Sequence, residues 1–168
     1  NGSHHLLKRG FDHTQLHVVE PDVTRREHLK NDFGVTSSTP EEGFPASEVI
    51  VFAIKPQQFH AVADAMKDRI GNALVISIAA GIRADTLAHW LDGHPRVVRV
   101  MPNTPALVQS GMSGVYAGSG VTEADRELTE RMLAAIGEFV WVEDESDMDG
   151  ITAISGSGPA YVFYFVEA

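Results

Sequence analysis

The chain contains no cysteine, which excludes disulfides and thiolate chemistry. It has no apolar run of about 18 residues or more, so no transmembrane helix is expected. Residues 1–10 do not resemble a signal peptide either. Basic residues are few, 13 Lys and Arg against 23 Asp and Glu, for a formal net charge of −10. They are scattered along the chain, which argues against the basic face of a nucleic-acid binder. The acidity favours solubility and says little about fold. A soluble cytoplasmic protein is expected, with neither nucleic acid nor membrane as a partner. Metal-ligand spacings are missing too. The eight histidines are dispersed, and His13 and His17 stand four apart where a strand, not a helix, is read. His-Glu-x-x-His does not occur, and no metal site is expected. Gly-x-Ser-x-Gly is absent, and Ser157 has no strand immediately before it and no obvious triad, which weakens a hydrolase reading. There are no internal repeats and no low-complexity tracts.

What is present begins with 168 residues, 43% of them hydrophobic. That is room for one core and the start of a second domain. Residues 16–20 read as a short strand. A helix follows over about 23–33, with Asp22 as N-cap and Gly34 as stop. Residues 35–48 are rich in Ser, Thr, Pro and Glu and read as loop. The unbroken apolar run 49–54 predicts a buried parallel strand, and Pro56 suits the first turn of the next helix. Residues 74–78 form another buried strand. Leu87, Trp90 and Leu91 mark a short helix, and 97–100 a third strand. Residues 114–117 add one more strand. Thr122 and Asp125 form a capping-box start for a helix over about 122–136, and 139–142 reads as the last strand. Alternating strands and helices imply a mostly parallel sheet covered on both faces. A domain border is expected near 144–150. Residues 1–10 look like the tail of a helix closed by Gly10, with no strand or glycine loop before them, and residues 167–168 stop inside a helical pattern. The chain is therefore expected to be a fragment or to lack segments.

In open α/β sheets ligands bind beyond the carboxyl ends of the strands. Three distinctive turns fall there: Lys55-Pro56, Ala79-Ala80-Gly81 and Met101 to Pro105. Together they outline a cleft that could hold a dinucleotide. Glu20, at the end of the first strand, is placed to accept from a ribose 2′-hydroxyl, or is a surface acid beside a helix start that Asp22 caps. Lys55 alone reads as a solvated residue. Asn103, between two prolines, builds a rigid turn. Residues 155–161, Ser-Gly-Ser-Gly-Pro-Ala-Tyr, run a glycine-rich turn into an apolar helix. Such a junction leaves backbone N–H groups where a small carboxylate could dock.

Four segments carry a family likeness in order: Ala53 to Gln57, Val75 to Gly81, Arg99 to Pro105, and Ile151 to Tyr161. On these the chain strongly resembles pyrroline-5-carboxylate reductase. The resemblance implies an α/β, Rossmann-type doubly wound parallel sheet over 1–147, its first strand and glycine loop missing. The start of an all-α dimerisation domain follows over 148–168. It implies reduction of 1-pyrroline-5-carboxylate to L-proline with hydride from NADPH or NADH, in a homodimer or higher homo-oligomer. By resemblance, Ala53, Ile54, Lys55 and Pro56 line the cofactor with Ile78, Ala79 and Ala80. Asn103 lies close to the nicotinamide, and Glu20 and Asp22 fall where the adenosine ribose is contacted. Glu145 and the turn Ser155, Gly156, Ser157, Gly158 and Pro159 fall near the substrate. No residue stands out as a general acid. Because the family's dimer helices lie beyond residue 168, the 1–168 stretch alone is expected not to form a stable, active dimer. Two other readings stand beside this one: another Rossmann reductase of the β-hydroxyacid dehydrogenase type, and a non-catalytic nucleotide-binding module.

Overall fold

The structure is a computed structural model that describes residues 12–102, 111–135, 137–148 and 150. Contacts divide it into two compact units between Ala46 and Ser47, inside the region expected to be one Rossmann domain.

The described part of the first unit begins with a turn of 3-10 helix, His13–Gln15, closed by a reciprocal capping box between Asp12 and Gln15. Strand β1 (His17–Val19) leads to helix α1 (Val23–Phe33) and then to β2 (Thr36–Ser38). The boundaries of α1 follow from its caps. The Asp22 carboxylate accepts from the Arg25 N–H at 2.9 Å, satisfying one of the helix's orphan donors. At the other end Gly34 takes φ 65°, and its N–H reaches the carbonyls of Leu29 and Lys30. Only glycine adopts that left-handed turn without strain.

Strand β2 corrects the loop expected over 35–48. It lies parallel to β1, with His17 opposite Thr36 and Val19 opposite Ser38. Its sequence, Thr-Ser-Ser, has no apolar alternation to announce a strand. Polar contacts tie it in: the His17 ring meets Thr36 Oγ1 at 3.2 Å and Ser38 Oγ at 2.7 Å, and Ser38 Oγ donates to the Gly43 carbonyl. Among the described residues of this unit, Leu29 and Val35 are the buried apolar side chains.

The second unit is an α/β sandwich. Its elements are β3 (Val49–Phe52), α2 (Pro56–Ile70), β4 (Leu74–Ser77), α3 (Ala84–Trp90), β5 (Val97–Pro102), β6 (Gly111–Ala117), α4 (Glu123–Leu133) and β7 (Gly137–Val142). The strands lie in sequence order from β3 to β7. All neighbours are parallel except β5 and β6. One level row of the sheet holds Phe52, Ser77, Arg99, Tyr116 and Val142.

Side chains alternate between faces. One face gathers Leu74, Ile76, Val98, Val100 and Val115 beneath Leu128, Met132 and Leu133 of α4. On the other, Phe52 packs against Phe59 of α2, and Phe59 against Trp90 of α3, with ring centroids 5.1 and 6.3 Å apart. Helices on both faces explain the near-continuous apolar runs of β4 and β5.

Several boundaries differ from expectation. The run 49–54 is strand only to Phe52, and Val51 is 45% exposed, because β3 is an edge of this sheet among the described residues. β4 ends at Ser77, and β5 continues to Pro102. β6 and β7 start earlier than their apolar cores, at Gly111 and Gly137. Helix α4 stops at Leu133, and Ile136 lies outside the described residues. The Thr122–Asp125 capping box is present with both bonds. Among the described residues no helix is long and apolar enough to cross a membrane.

Candidate functional site

Parallel β3 and β4 bring their carboxyl ends to one edge of the sheet, with Phe52 level with Ser77. The segments that follow are therefore neighbours. The Ile78 N–H donates to the Phe52 carbonyl at 3.2 Å, tying the second turn to the first. Ala53, Lys55 and Pro56 are exposed there and Ile54 is half-buried. Lys55 is the N-cap of α2 but supplies no side-chain cap, and Pro56 fills the first helical position. Beside them Ile78 and Ala80 are exposed, while Ala79 is buried, its N–H donating to Ser77 Oγ at 3.3 Å. Gly81 closes the turn at φ 74°, a conformation that costs a larger residue about 1–2 kcal/mol. Alanines and glycine leave this edge with little side-chain bulk, which suits close approach of a flat ligand.

Glu20 and Asp22 belong to the first unit. Glu20 follows β1, and its backbone N–H donates to the Ser38 carbonyl at 3.0 Å. Glu20 Oε1 accepts from the Asp22 N–H at 3.0 Å, and Oε2 faces Arg25 Nη1 at 3.7 Å. That second distance is an ion pair too long for a hydrogen bond, so Oε2 keeps room for a donor. Arg26 Nη1 donates to the Glu20 carbonyl at 2.7 Å and to the Pro21 carbonyl at 2.9 Å.

Glu145 is buried in the second unit. Its Oε1 accepts from Arg99 Nη1 at 2.7 Å and from the Ala84 N–H at 2.6 Å, while Oε2 pairs with Arg83 Nη2 at 3.1 Å. Ala84 is the first residue of α3, whose N-cap, Arg83, cannot cap with its own side chain. A glutamate 61 positions away does so instead, with its charge at the favourable end of the helix dipole. The resemblance puts Glu145 near the substrate; the structure shows its carboxylate engaged with two arginines and a helix start, next to the segment that carries Ile78 to Gly81. Arg83 and Arg99 were not singled out as site residues. A signal existed: a charge inside Val-Val-Arg-Val, an apolar strand, needs a buried partner. Asn103, Ser155, Gly156, Ser157, Gly158 and Pro159 lie outside the described residues. Among the described residues, no group of three or more His, Asp or Glu side chains is placed to hold a metal ion.

Residues 3–81 match a family model described as NADP oxidoreductase coenzyme F420-dependent, and residues 145–168 one described as Pyrroline-5-carboxylate reductase dimerisation. A curated pyrroline-5-carboxylate reductase of Pasteurella multocida is 40% identical over 168 residues, an alignment that takes in 97% of this chain. On these matches the chain is similar to the pyrroline-5-carboxylate reductases. It spans 61% of the length of that relative. A solved pyrroline-5-carboxylate reductase from Coxiella burnetii matches 99% of this chain and 63% of its own chain, at 33% identity and a TM-score of 0.91. The Plasmodium falciparum pyrroline carboxylate reductase, solved with NADP bound, matches 99% of it and 61% of its own chain, at 30% identity and a TM-score of 0.82. The fold is thus the Rossmann type shared by these reductases.

Proposed function

We propose that the protein carrying this chain reduces 1-pyrroline-5-carboxylate to L-proline, the last step of proline biosynthesis, with hydride from NADPH or NADH. The observation that carries this reading is the ordered likeness, over nearly all of this chain and about 60% of their length, to curated proteins named pyrroline-5-carboxylate reductase. The bound NADP of the Plasmodium neighbour supports the cofactor class. The cofactor supplies the hydride. The protein's part is to hold the nicotinamide against the imine carbon, and orientation of this kind accounts for much of an enzyme's rate.

In this reading Glu20, with Asp22 bracing its turn, receives the adenosine ribose. Ala53 to Pro56 and Ile78 to Ala80 form the floor along the sheet edge. What supports this is the short side chains of Ala53 and Ala80 at two turns tied by the Ile78 N–H to the Phe52 carbonyl. Asn103 serves the nicotinamide. The Ser155–Pro159 turn offers its backbone N–H groups to the substrate carboxylate. Glu145 acts one step back: through Ala84 and Arg83 it fixes the segment that follows Ile78 to Gly81. The match of residues 145–168 to a dimerisation model supports a homodimer or higher homo-oligomer, and the cytoplasm is the expected compartment.

Steady-state oxidation of NADH and NADPH by full-length protein, with 1-pyrroline-5-carboxylate as acceptor, tests the reading. Substrate-dependent turnover with one or both is expected. A folded oligomer inert with both would overturn it.

A further inference from the structure

Strands β6 and β7 run parallel to each other and against β5. Their carboxyl ends therefore point away from the edge that carries Ala53 to Pro56 and Ile78 to Ala80. Beyond Ala117 the chain turns beside the start of β5, where the Gly118 N–H donates to the Val97 carbonyl at 2.8 Å. A cavity of about 440 Å³ lies at these strand ends. Ala117, Trp141 and Val142 give it apolar walls, Tyr116 adds a phenol, and Arg126 and Glu143 add opposite charges. The reaction proposed above uses none of these groups.

Arg126 is half-buried on α4, and its guanidinium lies over the Trp141 ring, 4.6 Å from the centroid. The ring itself is fixed. Its Nε1–H donates to Glu130 Oε1 at 2.8 Å, and the indole packs against the core beneath α4. Glu130 stands one turn beyond Arg126, at the spacing where a helix usually pairs such charges. Here that acid serves the indole instead, and among the described residues Arg126 is in no ion pair. An indole ring attracts the cation through its face but offers no lone pair to its N–H donors. The guanidinium is thus held in place with its donors still in want of an acceptor. Their fork matches a carboxylate.

We propose that this cavity binds a small monocarboxylate with an apolar body. The carboxylate pairs with Arg126 and accepts from the Tyr116 hydroxyl, while the body lies along Ala117 and Val142. Glu143, the acid in the described lining, sets the charge the site accepts. A second negative group on the ligand would meet it, so dicarboxylates and phosphate dianions are disfavoured. The ligand is neither cofactor nor substrate of the reductase, because the strand ends that hold it face away from the cofactor edge.

Calorimetry on full-length protein tests this, with benzoate, uncharged benzamide and the dicarboxylate isophthalate as probes. No nicotinamide cofactor is present, so the result does not depend on the reductase reading. Benzoate should bind saturably, with Kd of about 1 mM. Benzamide should bind about tenfold more weakly, the size of one charge-assisted hydrogen bond. Isophthalate should also bind more weakly than benzoate, and Glu143→Gln should close most of that gap. Arg126→Gln should weaken benzoate about tenfold and leave benzamide unchanged, and Arg126→Lys should recover part of the loss. No saturable benzoate binding, equal binding of benzoate and benzamide, or equal benzoate binding by wild type and a folded Arg126→Gln would each overturn the proposal. Should Arg126→Gln fail to fold, the three probes and Glu143→Gln decide: an isophthalate gap that Glu143→Gln leaves untouched would place the ligand elsewhere.

Discussion

Arg99 and Glu145 show what a single charge demands of a fold. Arg99 stands in the middle of an apolar strand with a side chain 4% exposed, and Glu145 faces it at the same exposure. Each leaves water only because the other is present, with the Ala84 N–H and Arg83 completing the set. Removing one partner strands the other's charge, which costs about 3–5 kcal/mol. Glu145→Ala should accordingly lower the melting temperature by roughly 10 °C. Asp85→Ala should lower it far less, because the Arg83–Asp85 pair is exposed on both sides, at 54% and 72%, and such pairs contribute about 0–1 kcal/mol. Equal losses in the two variants would show that burial is not what makes the first pair matter. At this scale the sequence was only partly legible. Asp22, Gly34, Thr122 and Asp125 announce themselves because a cap satisfies backbone groups two or three residues away. The Glu145–Ala84 bond joins residues 61 apart, and local pattern holds no record of it.

Among the elements, helix α4 has the most strongly tied start. The buried Asp125 carboxylate accepts from Arg96 Nε at 3.1 Å and from the Thr122 N–H at 2.9 Å, and pairs again with Arg96 through Nη2. The Arg96 guanidinium foremost, and then the Thr122 bonds, lower its pKa from the ordinary 3.8 to about 2. A carboxylate with a depressed folded-state pKa stabilises the fold above its unfolded pKa and loses that contribution as pH falls through the folded one. Stability should therefore drop by about 2 kcal/mol from this group between pH 4 and pH 2. Chemical denaturation at a series of pH values checks it. Asp125→Asn should be less stable at pH 7 and show a shallower slope in that acid window. An unaltered slope would mean that Asp125 does not titrate with folding. The strands were legible where they are apolar and buried. β2 was not, because three polar residues held by His17 carry no period to read. β3 seemed longer than it is, because the apolar residues of 53–54 belong to the turn at the sheet edge and not to the ladder.

For the whole molecule, the order of elements from β3 to β7 follows from alternating apolar periods, and the sequence supports an α/β sheet on that ground alone. The antiparallel placement of β6 did not follow, since the residues between β5 and β6 carry no helix pattern that would betray the direction of return. Function was legible differently. Ala53 to Pro56 and Ile78 to Ala80 are unremarkable as residue types, and physical reading alone gave no more than a ligand edge. Family likeness supplied the reaction. In the proposed reaction hydride passes from a nicotinamide to the imine carbon of 1-pyrroline-5-carboxylate. Full-length protein supplied with cofactor carrying deuterium at the transferable nicotinamide position tests this most directly, with the product read by mass spectrometry. The expected product is L-proline bearing a single deuterium, at the former imine carbon. Proline without the label, or no proline from the folded protein with either NADH or NADPH, would overturn the proposed reaction.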